Sequence, residues 1–225
     1  MSLHFDARYP TRYSDGRGVE VTEFNNDGST LSIRLRGVAF SGPDFDGLEP
    51  ERNSSRDSLT SFTLSHGCLC ECTFECRIPI PVICGETMIV TDLNMRLDLG
   101  APIAPDGRLD REDLNLSLEL EGRSYRSSGQ SGGFFENELL SLQAGLPPQC
   151  FMKACINCAY SDYPPGGHGL LGGMACFRNL KAEYAKATDK AGICSVWHLQ
   201  KHEMVQEIFL CPEFERRRPN TGYRG

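Results

Sequence analysis

Apolar and polar residues alternate along much of the first two thirds of the chain, and alternation with period two marks a half-buried strand. Val19-Glu20-Val21-Thr22 and Leu31-Ser32-Ile33-Arg34-Leu35-Arg36 flank Asn25-Asn26-Asp27-Gly28, which carries turn chemistry, so the pattern predicts a β-hairpin. Residues 59–77, 88–99 and 114–125 supply three further strands, the last opening as Leu114-Asn115-Leu116-Ser117-Leu118-Glu119-Leu120. Pro79 and Pro81 turn the end of the first of these into an edge or a bend, because proline has no N–H for a ladder. Residues 44–56 are rich in Pro, Asp, Glu, Ser and Asn and read as a surface loop.

Helical signals are sparse. Residues 136–143 suit a short helix or turn ended by Gly145 and Pro147-Pro148, and 179–190 is the best helix, with Leu180, Tyr184 and Ala187 along one face. Many strands joined by polar turns predict a mainly β fold: an antiparallel β-sandwich over residues 1–149, with one or two short helices. Residues 150–225 form a cysteine-rich, zinc-stapled C-terminal region that packs on the sandwich or completes it.

That region carries the chemistry. Cys155-Ile156-Asn157-Cys158 is a C-x2-C knuckle that presents two sulfurs to one metal, and Cys176 and Cys211 complete a four-thiolate set of the kind closed structural zinc prefers. Cys150 and His168 stand in reserve as ligands if Cys211 is too distant. Lys153, Arg178 and the Arg216-Arg217-Arg218 run lie close in sequence to these cysteines and would offset the negative charge of bound thiolates. The Cys68-Leu69-Cys70-Glu71-Cys72-Thr73-Phe74-Glu75-Cys76 run reads differently. On one strand its cysteines and Phe74 share a face as small core residues, and neighbours on that face lie about 6.7 Å apart, too far to share one zinc. Cys84 and Cys194, with no partner spacing, read as core thiols too.

Competing chemistry has weaker support. The loop 160–173 holds Asp162 and His168 among glycines near Cys158, which admits a metal- or thiol-dependent enzyme or a redox sensor there, with Asp162 and His168 as acid or base. It contains neither of the glycine signatures of phosphate-cradling loops. His198 and His202 are spaced to share one helix face, but the order is not that of a zinc protease. No set of residues singles itself out as catalytic.

Composition narrows the partners. The formal net charge of −7 argues against nucleic acid. Eleven cysteines, an odd number, together with a start that lacks a basic segment leading into an apolar run, predict a cytoplasmic chain. No apolar stretch is long enough for a spanning helix. The expected function is a non-enzymatic, zinc-stabilised module that binds another protein. The arginine-rich C-terminus reads either as a disordered tail or as a segment that docks on acidic groups of a partner or of this chain.

Overall fold

The computed structural model describes residues 6–103, 108–129, 134–165, 173–219 and 222–224. The first strands are β1 (Ala7–Asp15), β2 (Gly18–Asn26), β3 (Leu31–Leu35), β4 (Val38–Gly42) and the two-residue β5 (Glu49–Pro50), followed by the single turn α1 (Arg56–Leu59). Next come β6 (Thr63–Ser65), β7 (Cys68–Cys70), the long pair β8 (Cys72–Cys84) and β9 (Thr87–Leu99), then β10 (Glu112–Leu120) and β11 (Arg123–Arg126). Helix α2 (Phe135–Gly145) leads to β12 (Cys150–Met152), β13 (Ser161–Asp162), β14 (Gly173–Cys176), α3 (Lys181–Tyr184), α4 (Lys190–Trp197) and β15 (Glu203–Gln206).

The strand-rich, antiparallel reading holds. One ten-stranded sheet runs β11-β10-β9-β8-β1-β2-β3-β4-β5, with β12 added beside β8. Alternation along each strand gives it one apolar face: Tyr9 and Tyr13, Leu31, Ile33 and Leu35, Phe74, Ile78 and Ile80, Leu93 and Leu97, and Leu114, Leu116 and Leu118 are all buried. Their neighbours Arg8, Arg12, Glu75, Arg77, Asn94, Arg96 and Asn115 lie on the other, polar face.

Three sequence expectations need correction. Residues 59–77 are not one strand: Leu59 ends α1, His66 and Gly67 turn between β6 and β7 with φ of 49° and 91°, and Glu71 at φ 50° separates β7 from β8. Cys70, Cys72 and Cys76 are nonetheless buried, but Cys68 is half-buried, and Cys68 and Cys70 lie in the β6–β7 sheet while Cys72 and Cys76 lie in the large one, so the run does not share one strand face. Residues 114–125 fold back on themselves at Glu121-Gly122, φ 51° and 75°, into the β10–β11 hairpin. The helix expected over 179–190 breaks after Tyr184, and α4 begins only at Lys190, where the Asp189 side chain caps it by accepting from the Gly192 N–H at 2.7 Å. Leu180, Tyr184 and Ala187 still share one apolar cluster, with Phe177, Ile193 and Val196.

Strand β8 forks. Its first residues pair with β1 from Asp15↔Cys72 to Thr11↔Cys76, and its last three pair with β12. Pro81 accepts a hydrogen bond from the Lys153 N–H at 2.8 Å on the edge away from β9. Pro81, and Pro79 two residues before it, therefore turn their missing N–H groups to that edge. The expectation that these prolines mark an edge is met, although the strand itself runs on to Cys84.

The C-terminal third builds on this frame. Strands β13, β14 and β15 form a small separate sheet. Gln206 ties it to the large one: its N–H donates to the Gly28 carbonyl at 3.2 Å, and its side chain accepts from the Asn26 amide, which also donates to the Tyr9 hydroxyl. Cys155, Cys176 and Cys211 belong to the same continuous apolar core as the sheet residues.

Candidate metal centre

The four cysteines singled out by spacing come from three segments. Cys155 and Cys158 sit on and just after a 3-10 turn at Cys155–Asn157, closed by the Cys158 N–H donating to the Cys155 carbonyl at 3.0 Å. Cys176 ends β14, and Cys211 follows the turn after β15. All four are buried.

Backbone pairing brings these segments together. The Cys155 N–H donates to the Phe209 carbonyl at 3.1 Å, and Cys176 lies opposite Ser161 in the β13–β14 ladder. Cys155 interacts electrostatically with Cys158, Cys211 and Cys176, and the Cys176 and Cys211 side chains hydrogen-bond each other. The Cys176 sulfur accepts from the Arg178 N–H and the Cys211 sulfur from the Glu213 N–H, in each case the amide two residues on.

That hydrogen bond sets the proton distribution. Donating to Cys211 pushes the Cys176 thiol far up, and accepting it pulls the Cys211 thiol below the usual range. Burial drives the Cys155 thiol well up, with further upward pressure from Cys158 and Cys211. Arg178 is the local cation. Its guanidinium lies 4.0 Å from the Cys176 sulfur, lowers Cys155, Cys176 and Cys211, and is itself held by Glu203. Among the described residues no three His, Cys, Asp or Glu side chains converge at metal-holding geometry.

The other candidates separate from this cluster. Cys150 is not a reserve ligand: it forms a disulfide with Cys84, to which the β8–β12 register places it directly opposite. The reading of Cys84 as an unpartnered core thiol falls with it. His168 and the glycines around it lie outside the described residues. His198 caps the end of α4, and His202 lies beyond it with its ring 4.1 Å from that of Trp197, so the two histidines do not share a helix face. Cys194 is a half-buried free thiol on α4.

Asp162, the acid-or-base candidate, is 2% exposed and serves as an anchor. Burial raises its carboxyl, while it accepts from the Tyr184 hydroxyl and the Tyr163 N–H, each at 2.8 Å, and feels Arg224 and Arg217. The arginine-rich C-terminus is ordered against these groups. Arg217 donates to the Ser161 carbonyl, Arg224 donates to the Ile156 carbonyl at 2.9 Å and stacks over the Tyr163 ring, and Arg216 covers the Phe151 ring. These arginines rest on this chain's own backbone carbonyls and aromatic rings rather than on the acidic groups expected, although Arg224 also lies 3.8 Å from the Glu136 carboxylate.

Fold and site together define a mainly β, cysteine-rich protein whose C-terminal third holds four buried thiols from three segments. The chain belongs to the family of unknown function DUF6304, which matches residues 7–161. That stretch holds the whole ten-stranded sheet, Cys155 and Cys158, and ends before Cys176 and Cys211. No curated protein and no solved structure matches the chain. No helix of the described residues is long and apolar enough to cross a membrane.

Proposed function

We propose that Cys155, Cys158, Cys176 and Cys211 hold one structural zinc ion and that the chain is a non-enzymatic binding module for another protein. The observation that carries the metal is the burial of four thiols from three segments in one neighbourhood, where Cys155 interacts with each of the other three and Cys176 bonds Cys211, two of the sulfurs already accepting the amide N–H two residues on. Zinc binding would strip the thiol protons and swing Cys176 and Cys211 from each other to a shared centre. Four thiolates would leave a net charge of about −2, which Arg178 and the two amides are placed to offset. Four protein ligands would close the site to water and substrate, which makes the metal a staple.

The binding role draws on the sheet's outer face, where Val19, Val21, Met88 and Val90 stand exposed, and on the use of Asp162, Tyr163 and Glu207 as internal struts. In this reading the sheet closes as a sandwich with the stapled region against its apolar side. Nine free cysteines among the described residues suit a reducing cytoplasm, and the Cys84–Cys150 bridge is then the bond most exposed to reduction.

Elemental analysis of protein purified under reducing conditions without a metal-affinity tag tests the staple. About one zinc per chain, with about four extra reactive thiols on chelation, is expected. No metal and an unchanged thiol count overturn the reading. His168→Ala is expected to keep its zinc, and loss of metal in that variant would remove the four-cysteine assignment. The contact between Cys176 and Cys211 favours one second reading, a thiol pair that oxidises to a disulfide. In that case metal is absent and mild oxidant removes two thiols that reductant restores.

A further inference from the structure

The fork in β8 opens a cleft of about 450 Å³ on the polar face of the sheet. Beyond Thr11↔Cys76 the next residue of β1 is Pro10, which has no N–H to donate, and the strands part there. Thr11, Cys76, Met95 and Leu116, whose side chains face the core, therefore line the cleft floor beside the outward-facing residues.

Register sets two rows of side chains across this floor. The first runs Val21–Arg12–Glu75–Arg96–Asn115, and the second Arg77–Asn94–Ser117–Arg126. In the first row the charges are already matched: Glu75 accepts from Arg12 at 2.8 Å and from Arg96 at 2.7 Å, and Asp98 takes the remaining fork of Arg96 at 2.9 and 3.0 Å. In the second row they are not. Among the described residues no carboxylate pairs with Arg77 or Arg126, both exposed, and Asn94 and Ser117 between them are polar and uncharged. Within a chain of net charge −7 the cleft thus carries two uncompensated guanidiniums. Their strands are three apart, so their backbones are separated by about 14 Å, and both side chains can lean inward.

We infer that this cleft binds a small organic molecule carrying two separated acidic groups, phosphate or carboxylate. Arg77 and Arg126 each take one oxyanion, for which a guanidinium offers a planar two-pronged fork. Asn94 and Ser117 bond the body between them, and Pro10 and Val21 form an apolar wall. The volume falls within the range of small-molecule sites. None of the four cysteines lines the cleft, so the inference stands apart from the zinc reading.

The test is amide-resolved NMR titration of the full chain with fructose 1,6-bisphosphate and with glutarate, run beside a hexaglutamate peptide. Saturable shifts confined to β1, β2 and β8–β11 from either small molecule support the site, and which of them binds distinguishes phosphate from carboxylate. Arg77→Gln with Arg126→Gln is expected to weaken binding by about tenfold or more. Lys186→Gln with Lys190→Gln, an equal loss of charge elsewhere, is expected to leave it unchanged. Absence of saturation by about 10 mM for both small molecules overturns the inference. So does equal weakening in the two double variants, or binding of the peptide alone, which would give the face to an acidic polypeptide.

Discussion

The Arg36 guanidinium grips both carboxylate oxygens of Asp15, at 2.6 and 2.7 Å, and joins the turn after β3 to the end of β1. Asp15 also accepts from the Tyr13 hydroxyl at 2.9 Å and the Arg17 N–H at 2.8 Å. Burial alone would raise this carboxyl, but the donors outweigh it and hold it at about 2. A carboxyl lowered on folding stabilises the native state above its ordinary value, near 4, and loses that contribution as pH falls towards 2. The pair should add about 2 kcal/mol at neutral pH. Arg36→Ala should cost about 3 kcal/mol at pH 7, because it strands a buried charge, and much less at pH 2.5; urea melts at the two pH values compare them.

Asp44 and Asp46 behave in the opposite sense. Burial, then repulsion from Asp46, pushes Asp44 up to about 7, and the two carboxyls share a proton in the native loop. The folded chain binds more protons here than the unfolded one, so this contribution is present below about pH 4 and declines as pH rises through 7. Asp44→Asn, which keeps the acceptor for the Gly47 N–H, should flatten that decline, and Tm measured across pH 5 to 8 should separate it from the parent.

The Cys84–Cys150 disulfide closes a span of 66 residues. A loop of that size predicts about 4 kcal/mol of stabilisation from constraint of the unfolded chain. Cys84→Ser and Cys150→Ser should each lower stability by up to this amount, and reductant should bring the parent chain to the same melting temperature. A larger fall in either variant than in the reduced parent would assign the loss to packing instead.

Gly222 holds the C-terminus against Tyr184. Its φ is +69°, and an added Cβ would stand 2.4 Å from the Tyr184 ring. Gly222→Ala should release the segment around Arg224 and speed proteolysis there, while melting of the large sheet stays within about 0.5 kcal/mol.

What the sequence revealed follows the range of the forces involved. The β2–β3 hairpin was readable because its determinants are local: Asp27 caps its own turn by accepting from the Ser29 and Thr30 N–H groups. Strand β1 is not among the strands read from the sequence, although Tyr9, Thr11 and Tyr13 alternate with polar residues; its place is set by pairing with β2 along its length and with β8 up to Thr11, the second of these a distant partner. The break at Glu71 depends on a distant partner, since its N–H donates to the Gly100 carbonyl at 3.0 Å. The Glu121-Gly122 turn is marked locally by its glycine, against a period-two alternation that continues up to Leu120. In the cysteine cluster the knuckle at Cys155 and Cys158 is local, whereas nothing short of β13–β15 pairing could bring Cys176 and Cys211 to it. The Cys84–Cys150 bridge had no local signal either, because β12 is three residues long and its register comes from β8.

The forked strand also dictates an order of assembly. On the edge of β8 away from β9, one neighbour comes from 65 residues upstream, where Thr11 meets Cys76, and the other from 66 residues downstream, where Cys150 meets Cys84. The β8–β9 ladder itself closes over a turn at Gly85-Glu86 and is the only long pairing of β8 within local reach. A nascent chain therefore holds β1 and its apolar tyrosines unpartnered on the β8 side until that hairpin has emerged, and completes the far end of the strand only after α2 has been made. Pulse-labelled amide exchange during refolding should find β8 and β9 protected first and β12 last.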